Sequence, residues 1–81
     1  MKEYQGHRSW NAWNVSLYIA NEYWLYRAGV VALESTKTPE QATRKFLRNT
    51  GILGRKTPDG AVYNRLCVKL ALIGLEIDQL P

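Results

Sequence analysis

The residues able to do chemistry are few and scattered. His7 is the only histidine and Cys67 the only cysteine. No zinc-type spacing exists, and no disulfide can close within the chain. The carboxylates are Glu3, Glu22, Glu34, Glu40, Asp59, Glu76 and Asp78. Glu22 and Glu40 sit where helices are expected to start, where a negative charge suits the helix dipole. Asp59 belongs to a turn. What remains is too thin for an acid/base pair or a cation cage. Gly51 and Gly54 precede Arg55-Lys56 without the pattern of a phosphate-binding loop. The expectation is a protein that is not an enzyme, with no catalytic residues, no metal and no cofactor.

Two concentrations of side chains remain. The first is cationic: Arg44, Lys45, Arg48, Arg55 and Lys56, with Arg65 and Lys69 close enough to join them. Such a group is either a solvated face or a patch for phosphates or an acidic protein surface. The second is aromatic: Ser9–Arg27 holds all three tryptophans and three of the five tyrosines. Trp10, Trp13 and Trp24 at helical spacing read as core before they read as a base-stacking platform. Asn14 falls on the Trp10/Trp13 face, where an unpaired amide is costly to bury. It should bond backbone, with the Thr57–Tyr63 loop as the expected partner. Asn11, Tyr18 and Tyr23 turn away and are candidate contacts.

Four helices must position these groups. Ser9 suits an N-cap for a helix over 10–19, burying Trp10, Trp13, Asn14 and Leu17. Asn21 suits a second cap, for a helix over 21–34 that is apolar nearly all round. Thr38-Pro39-Glu40-Gln41 is the clearest start, a capping box with proline at the first helical position. That helix runs over 39–50 to Gly51, with Ala42, Phe46 and Leu47 inward and Arg44, Lys45 and Arg48 outward. Asn64 caps a last helix over 64–77, whose main stripe is Leu66, Leu70, Ile73 and Ile77. Gly74 would admit a neighbouring helix. Between the last two helices, 52–63 carries the turns Leu53-Gly54 and Pro58-Asp59-Gly60, and Ile52-Leu53 with Ala61-Val62 are candidates for a small β-hairpin. The fold class expected is an all-α bundle of about four short helices in a single domain, 1–81.

The chain has 81 residues, 46% hydrophobic and 22% charged, with 11 Lys and Arg against 7 Asp and Glu for a net charge of +4. That composition is globular, and the charge favours anionic partners. Apolar runs are too short to cross a membrane, and MKEYQGHRS lacks the apolar segment of a secretory signal. The location expected is the cytosol of the cell that makes the protein. Cys67, between Leu66 and Val68, should be a small buried hydrophobe.

Trp13–Glu22, WNVSLYIANE, resembles a block reading W-N-V-x-L-[WY]-I-x-N-[DE] in a family of short uncharacterised bacteriophage and prophage proteins. Thr57-Pro58-Asp59-Gly60-Ala61-Val62-Tyr63, with the helix after it, resembles that family's C-terminal block. Tyr23-Trp24 departs from it, standing where a polar pair is common. The resemblance implies phage provenance, and hence a stoichiometric blocker of a host machine, acting in the cytoplasm of a bacterial host cell. The leading expectation is inhibition of a host defence complex, CRISPR effectors included, in the manner of anti-CRISPR proteins. Its contacts would be Arg44, Lys45, Arg48, Arg55, Lys56, Tyr18 and Tyr23. Two alternatives stand beside it: a nucleic-acid-binding phage regulator using the basic face of helix three, and a self-associating protein forming a homodimer through the final helix.

Overall fold

The computed structural model describes residues 9–78. His7, Glu3 and the rest of 1–8 lie outside the described residues. Four α-helices follow one another: α1 Trp10–Asn21, α2 Tyr23–Glu34, α3 Pro39–Thr50 and α4 Arg65–Asp78. The all-α bundle is as the sequence suggests.

The caps explain most boundaries. The Ala12 N–H donates to Ser9 Oγ at 3.1 Å, the Gln41 N–H to Thr38 Oγ1 at 3.1 Å, and the Cys67 N–H to Asn64 Oδ1 at 2.8 Å. The Gln41 side chain reaches back one residue further than a standard capping box, accepting from the Lys37 N–H at 2.9 Å. Gly51 ends α3 in the left-handed region, φ 69°, which glycine enters without a Cβ clash. Asn21, however, is no cap. It is the last residue of α1, and the break falls at Glu22 (φ −84°, ψ 116°), whose side chain caps nothing. The chain turns there through one extended residue, so α1 and α2 are separate helices with the shortest of hinges.

α2 and α4 each pack against all three other helices, while α1 and α3 flank them and do not meet. The start of α1 (Asn11) reaches Cys67 at the start of α4, 3.2 Å away. Ser16 and Ala20, late in α1, share a groove with Gly74 and Ile77, late in α4. The two therefore run in the same direction. Glu40 at the start of α3 meets Lys69, and Arg44 lines a groove with Arg65, so α3 runs opposite to α4.

The core corrects the expected faces of both α1 and α4. In α1 the buried arc is Ala12, Asn14, Val15 and Ile19; Trp10 is 38% exposed, and Trp13 and Leu17 are half-buried. In α4 it is Cys67, Val68, Ala71, Leu72 and Leu75; Leu66 is 50% exposed, Ile77 is exposed, and Leu70 and Ile73 are half-buried. In both helices the bulkier stripe faces outward. The spacing of packed helices is set by the side chains at the contact, and Ala12, Val15, Cys67 and Ala71 allow a close approach. α1 must also present Asn11, Asn14 and Tyr18 to the 52–63 segment. One arc of about half a helix cannot serve α4 and that segment and still bury the Trp10–Trp13–Leu17 side. Phe46 is fully buried, as expected.

A second correction concerns glycine. A Cβ at Gly74 would meet nothing within 4 Å. The close approach is at Gly29 of α2, where a Cβ would lie 2.9 Å from Leu75 Cδ1 and 3.2 Å from Leu72 Cδ2. The 52–63 segment forms a single bridge, Lys56 with Val62, rather than two strands. Ile52-Leu53 take no part. Ile52 enters the core, while Leu53 and Gly54 (φ 83°) make a tight turn closed by the Arg55 N–H on the Ile52 carbonyl at 2.9 Å.

Candidate functional site

Three asparagine and tyrosine side chains spaced along one face of α1 grip the loop between α3 and α4. Asn11 behaves as a piece of strand: its Nδ2 donates to the Val62 carbonyl at 2.9 Å, and its Oδ1 accepts from the Val62 N–H at 2.8 Å. Asn14 is buried. Its Nδ2 donates to Asp59 Oδ2 at 2.9 Å, and its Oδ1 accepts from the Thr57 hydroxyl at 2.6 Å. Thr57 Oγ1 in turn accepts from the Ala61 N–H at 3.0 Å. The Tyr18 hydroxyl donates to Asp59 Oδ2 at 3.1 Å. Asn14 thus pins the expected loop, through side chains and not backbone. Asn11 and Tyr18, expected to be free contacts, are occupied by the same clasp.

The clasp brings Trp13–Glu22 and Thr57–Tyr63 together. Asn14 and Tyr18 supply one half, Thr57 and Asp59 the other, and Val15 and Ile19 bury the helix beneath. Pro58 and Gly60 (φ 99°) fold the loop back, with the Gly60 N–H on the Thr57 carbonyl at 2.9 Å. Desolvation and the bond to Asp59 hold the Tyr18 phenol above its ordinary titration range.

The seven residues expected to bind a partner separate into three places. Arg44, Lys45 and Arg48 line a groove on the outer side of α3, with Ser35, Thr36 and Gln41. Arg44 also borders a second groove of about 350 Å³ with Arg65, Lys69 and Glu40. The expected neighbours Arg65 and Lys69 do join the cationic surface. Glu40, its one carboxylate, is paired with Lys69 at 2.8 Å, and that bond draws its carboxyl below the usual range. Arg55 and Lys56 instead line a cleft of about 260 Å³ with Tyr18, Glu22, Trp24 and Tyr63. Tyr23 stands apart on the surface at 75% exposed.

Trp24 and Tyr63 were not foreseen as site residues. Trp24 is 54% exposed, because α2 begins only at Tyr23 and its first turn overhangs the loop. The adjacent aromatic pair Tyr23-Trp24 was the available signal. Nothing local distinguishes Tyr63, whose place in the cleft depends on how the loop folds back. Among the described residues, no three His, Cys, Asp or Glu side chains lie together as a metal site, and no helix is long and apolar enough to cross a membrane.

The chain belongs to a family of unknown function, DUF7249, which matches it over residues 1–79. No curated protein and no solved structure matches it.

Proposed function

We propose that this protein is a phage-derived blocker that binds a host defence complex stoichiometrically, in the manner of anti-CRISPR proteins, and docks through the outer side of α3. The observation that carries the reading is Arg44, which borders both cationic grooves and joins Lys45 and Arg48 to Arg65 and Lys69. Glu40 and Lys69 pair and cancel, so Arg44, Lys45, Arg48 and Arg65 carry the net positive charge that faces an acidic protein surface. Fields of this kind speed association and exclude wrong partners. Tyr23, exposed at the start of α2, is the kind of residue that anchors interfaces. Provenance rests on the resemblance of Trp13–Glu22 and Thr57–Tyr63 to phage proteins. The test is phage plating on hosts carrying defined defence systems, with and without this protein. Protection in at least one host, lost with Arg44→Glu/Arg48→Glu, is expected; protection in none would sink the reading.

The same cations would also hold nucleic acid. A mobility shift that weakens steeply with salt, with no protein captured, would favour that alternative. Self-association has its own support in the outward stripes. Trp10, Trp13 and Leu17 on α1 and Leu70, Ile73 and Ile77 on α4 keep apolar surface exposed, and Ser16 and Ala20 share with Leu70 and Ile77 a groove whose lining holds no charged side chain. Light scattering reads the outcome directly: a dimer that dissociates with Ile77→Lys supports that use of the face, and a monomer at high concentration removes it.

A further inference from the structure

The cleft between the α1–α2 junction and the 52–63 loop carries an inference of its own, independent of the α3 docking surface. Tyr63 is 6% exposed, yet its hydroxyl makes no hydrogen bond to any described residue. Among the described residues no enclosed side-chain oxygen or nitrogen lacks a partner, so this oxygen is open to solvent, and Tyr63 lines the cleft. The Tyr63 ring is nearly buried while its hydroxyl stays open to the cleft, so it offers a donor and an acceptor to whatever enters. Glu22 at the helix junction and Arg55 and Lys56 on the loop line the same cleft, none in an ion pair with a described residue. Trp24 offers an exposed indole and Tyr18 a ring fixed by its bond to Asp59.

Simple ligands leave part of this set unused. A cationic side chain would suit the aromatic rings and Glu22 but meet Arg55 and Lys56. An acidic side chain would suit the cations but meet Glu22. A planar base carrying a phosphate uses all of it. The rings stack on the base, the carboxylate accepts from adjacent base N–H groups, and the two cations take the phosphate. The phenol hydroxyl meets a further polar edge. Adjacent ring and exocyclic N–H donors that both point at one carboxylate are a property of guanine; adenine presents an acceptor at the corresponding ring position. A volume of about 260 Å³ suits one nucleoside better than a longer segment.

We propose that the cleft lined by Trp24, Tyr63, Glu22, Arg55 and Lys56 binds a guanine nucleotide, free or as an unpaired base in a single strand. Glu22 reads the base, Trp24 and Tyr18 stack it, and Arg55 and Lys56 hold the phosphate. The test titrates the ¹⁵N-labelled full chain with GMP, AMP, guanosine and short single strands with or without guanine, following the Trp24 indole N–H, assigned by Trp24→Phe. GMP should shift that resonance saturably, with an affinity roughly tenfold or more above AMP. Glu22 caps no helix through its side chain, so Glu22→Gln should keep a folded spectrum and abolish the preference. Glu22→Asp should retain a weakened preference. Arg55→Ala should weaken GMP more than guanosine. A response to GMP assigns the free nucleotide, and a response only to guanine-bearing strands assigns the strand. No shift of the Trp24 signal by millimolar GMP or by any guanine-bearing strand would overturn the proposal. So would equal responses to GMP and AMP that Glu22→Gln leaves unchanged. Phage protection does not enter this readout, so the two proposals stand or fall separately.

Discussion

Asn14 is the residue on which the loop depends. It is buried and bonded on both sides of its amide, to Asp59 and to Thr57. Asn14→Ala leaves the Thr57 hydroxyl without its acceptor and takes one of two donors from Asp59, and an unsatisfied buried polar group costs about 1–3 kcal/mol. Thermal melting of the variant should show that loss; an unchanged melting temperature would remove the clasp as a structural device. Titration supplies a second check. The carboxyl of Glu40 is lowered by its bond to Lys69. A lowered carboxyl contributes stability above its unfolded value that is lost as pH falls through the folded one. The Tyr18 phenol is raised by desolvation and Asp59, so its contribution is complete below about pH 10 and lost as pH rises through the folded value. Stability measured against pH should therefore decline at both ends, and Tyr18→Phe should remove part of the alkaline decline.

At the scale of elements, the faces of α1 and α4 decide the architecture. Leu72 is fully buried, and Leu72→Ala should cost about 2–5 kcal/mol. Leu66 is half exposed, so Leu66→Lys should stay within about 0.5 kcal/mol. Denaturant unfolding of the two variants distinguishes this packing from its inverse. The two glycines make a matched pair. Gly74→Ala meets open space and should stabilise by about 0.5–1 kcal/mol. Gly29→Val drives atoms into Leu75 and Leu72 and should cost about 1–3 kcal/mol. The helices themselves were legible in the sequence, because Ser9, Thr38, Asn64 and Gly51 act locally and their chemistry is complete within a turn. Their inward faces were not. Both α1 and α4 have two apolar stripes, and periodicity alone ranks the bulkier one first. What reverses the ranking is tertiary: close contact through Ala12, Val15, Cys67 and Ala71, and the demand of the loop on Asn11, Asn14 and Tyr18. The candidate cleft was legible only in part. Arg55 and Lys56 stood out by charge, while Tyr63 and Trp24 join them through the fold of the loop.

The whole molecule is polarised. The groove between α1 and α4 is lined by apolar and small side chains, the outer side of α3 is cationic, and the clasped loop carries the aromatic cleft. That division suits a small protein that acts by occupying another molecule's surface. On the proposed function, the Arg44-centred face docks an acidic partner. The most direct measurement is co-purification from lysate of a host carrying a defined defence system, comparing the native chain with Arg44→Glu/Arg48→Glu at matched folding and rising salt. A defence protein retained in fixed ratio by the native chain, released by salt and absent from the charge-reversed variant, is the predicted result. Equal retention by both chains, or no defence protein retained by either, would contradict the account.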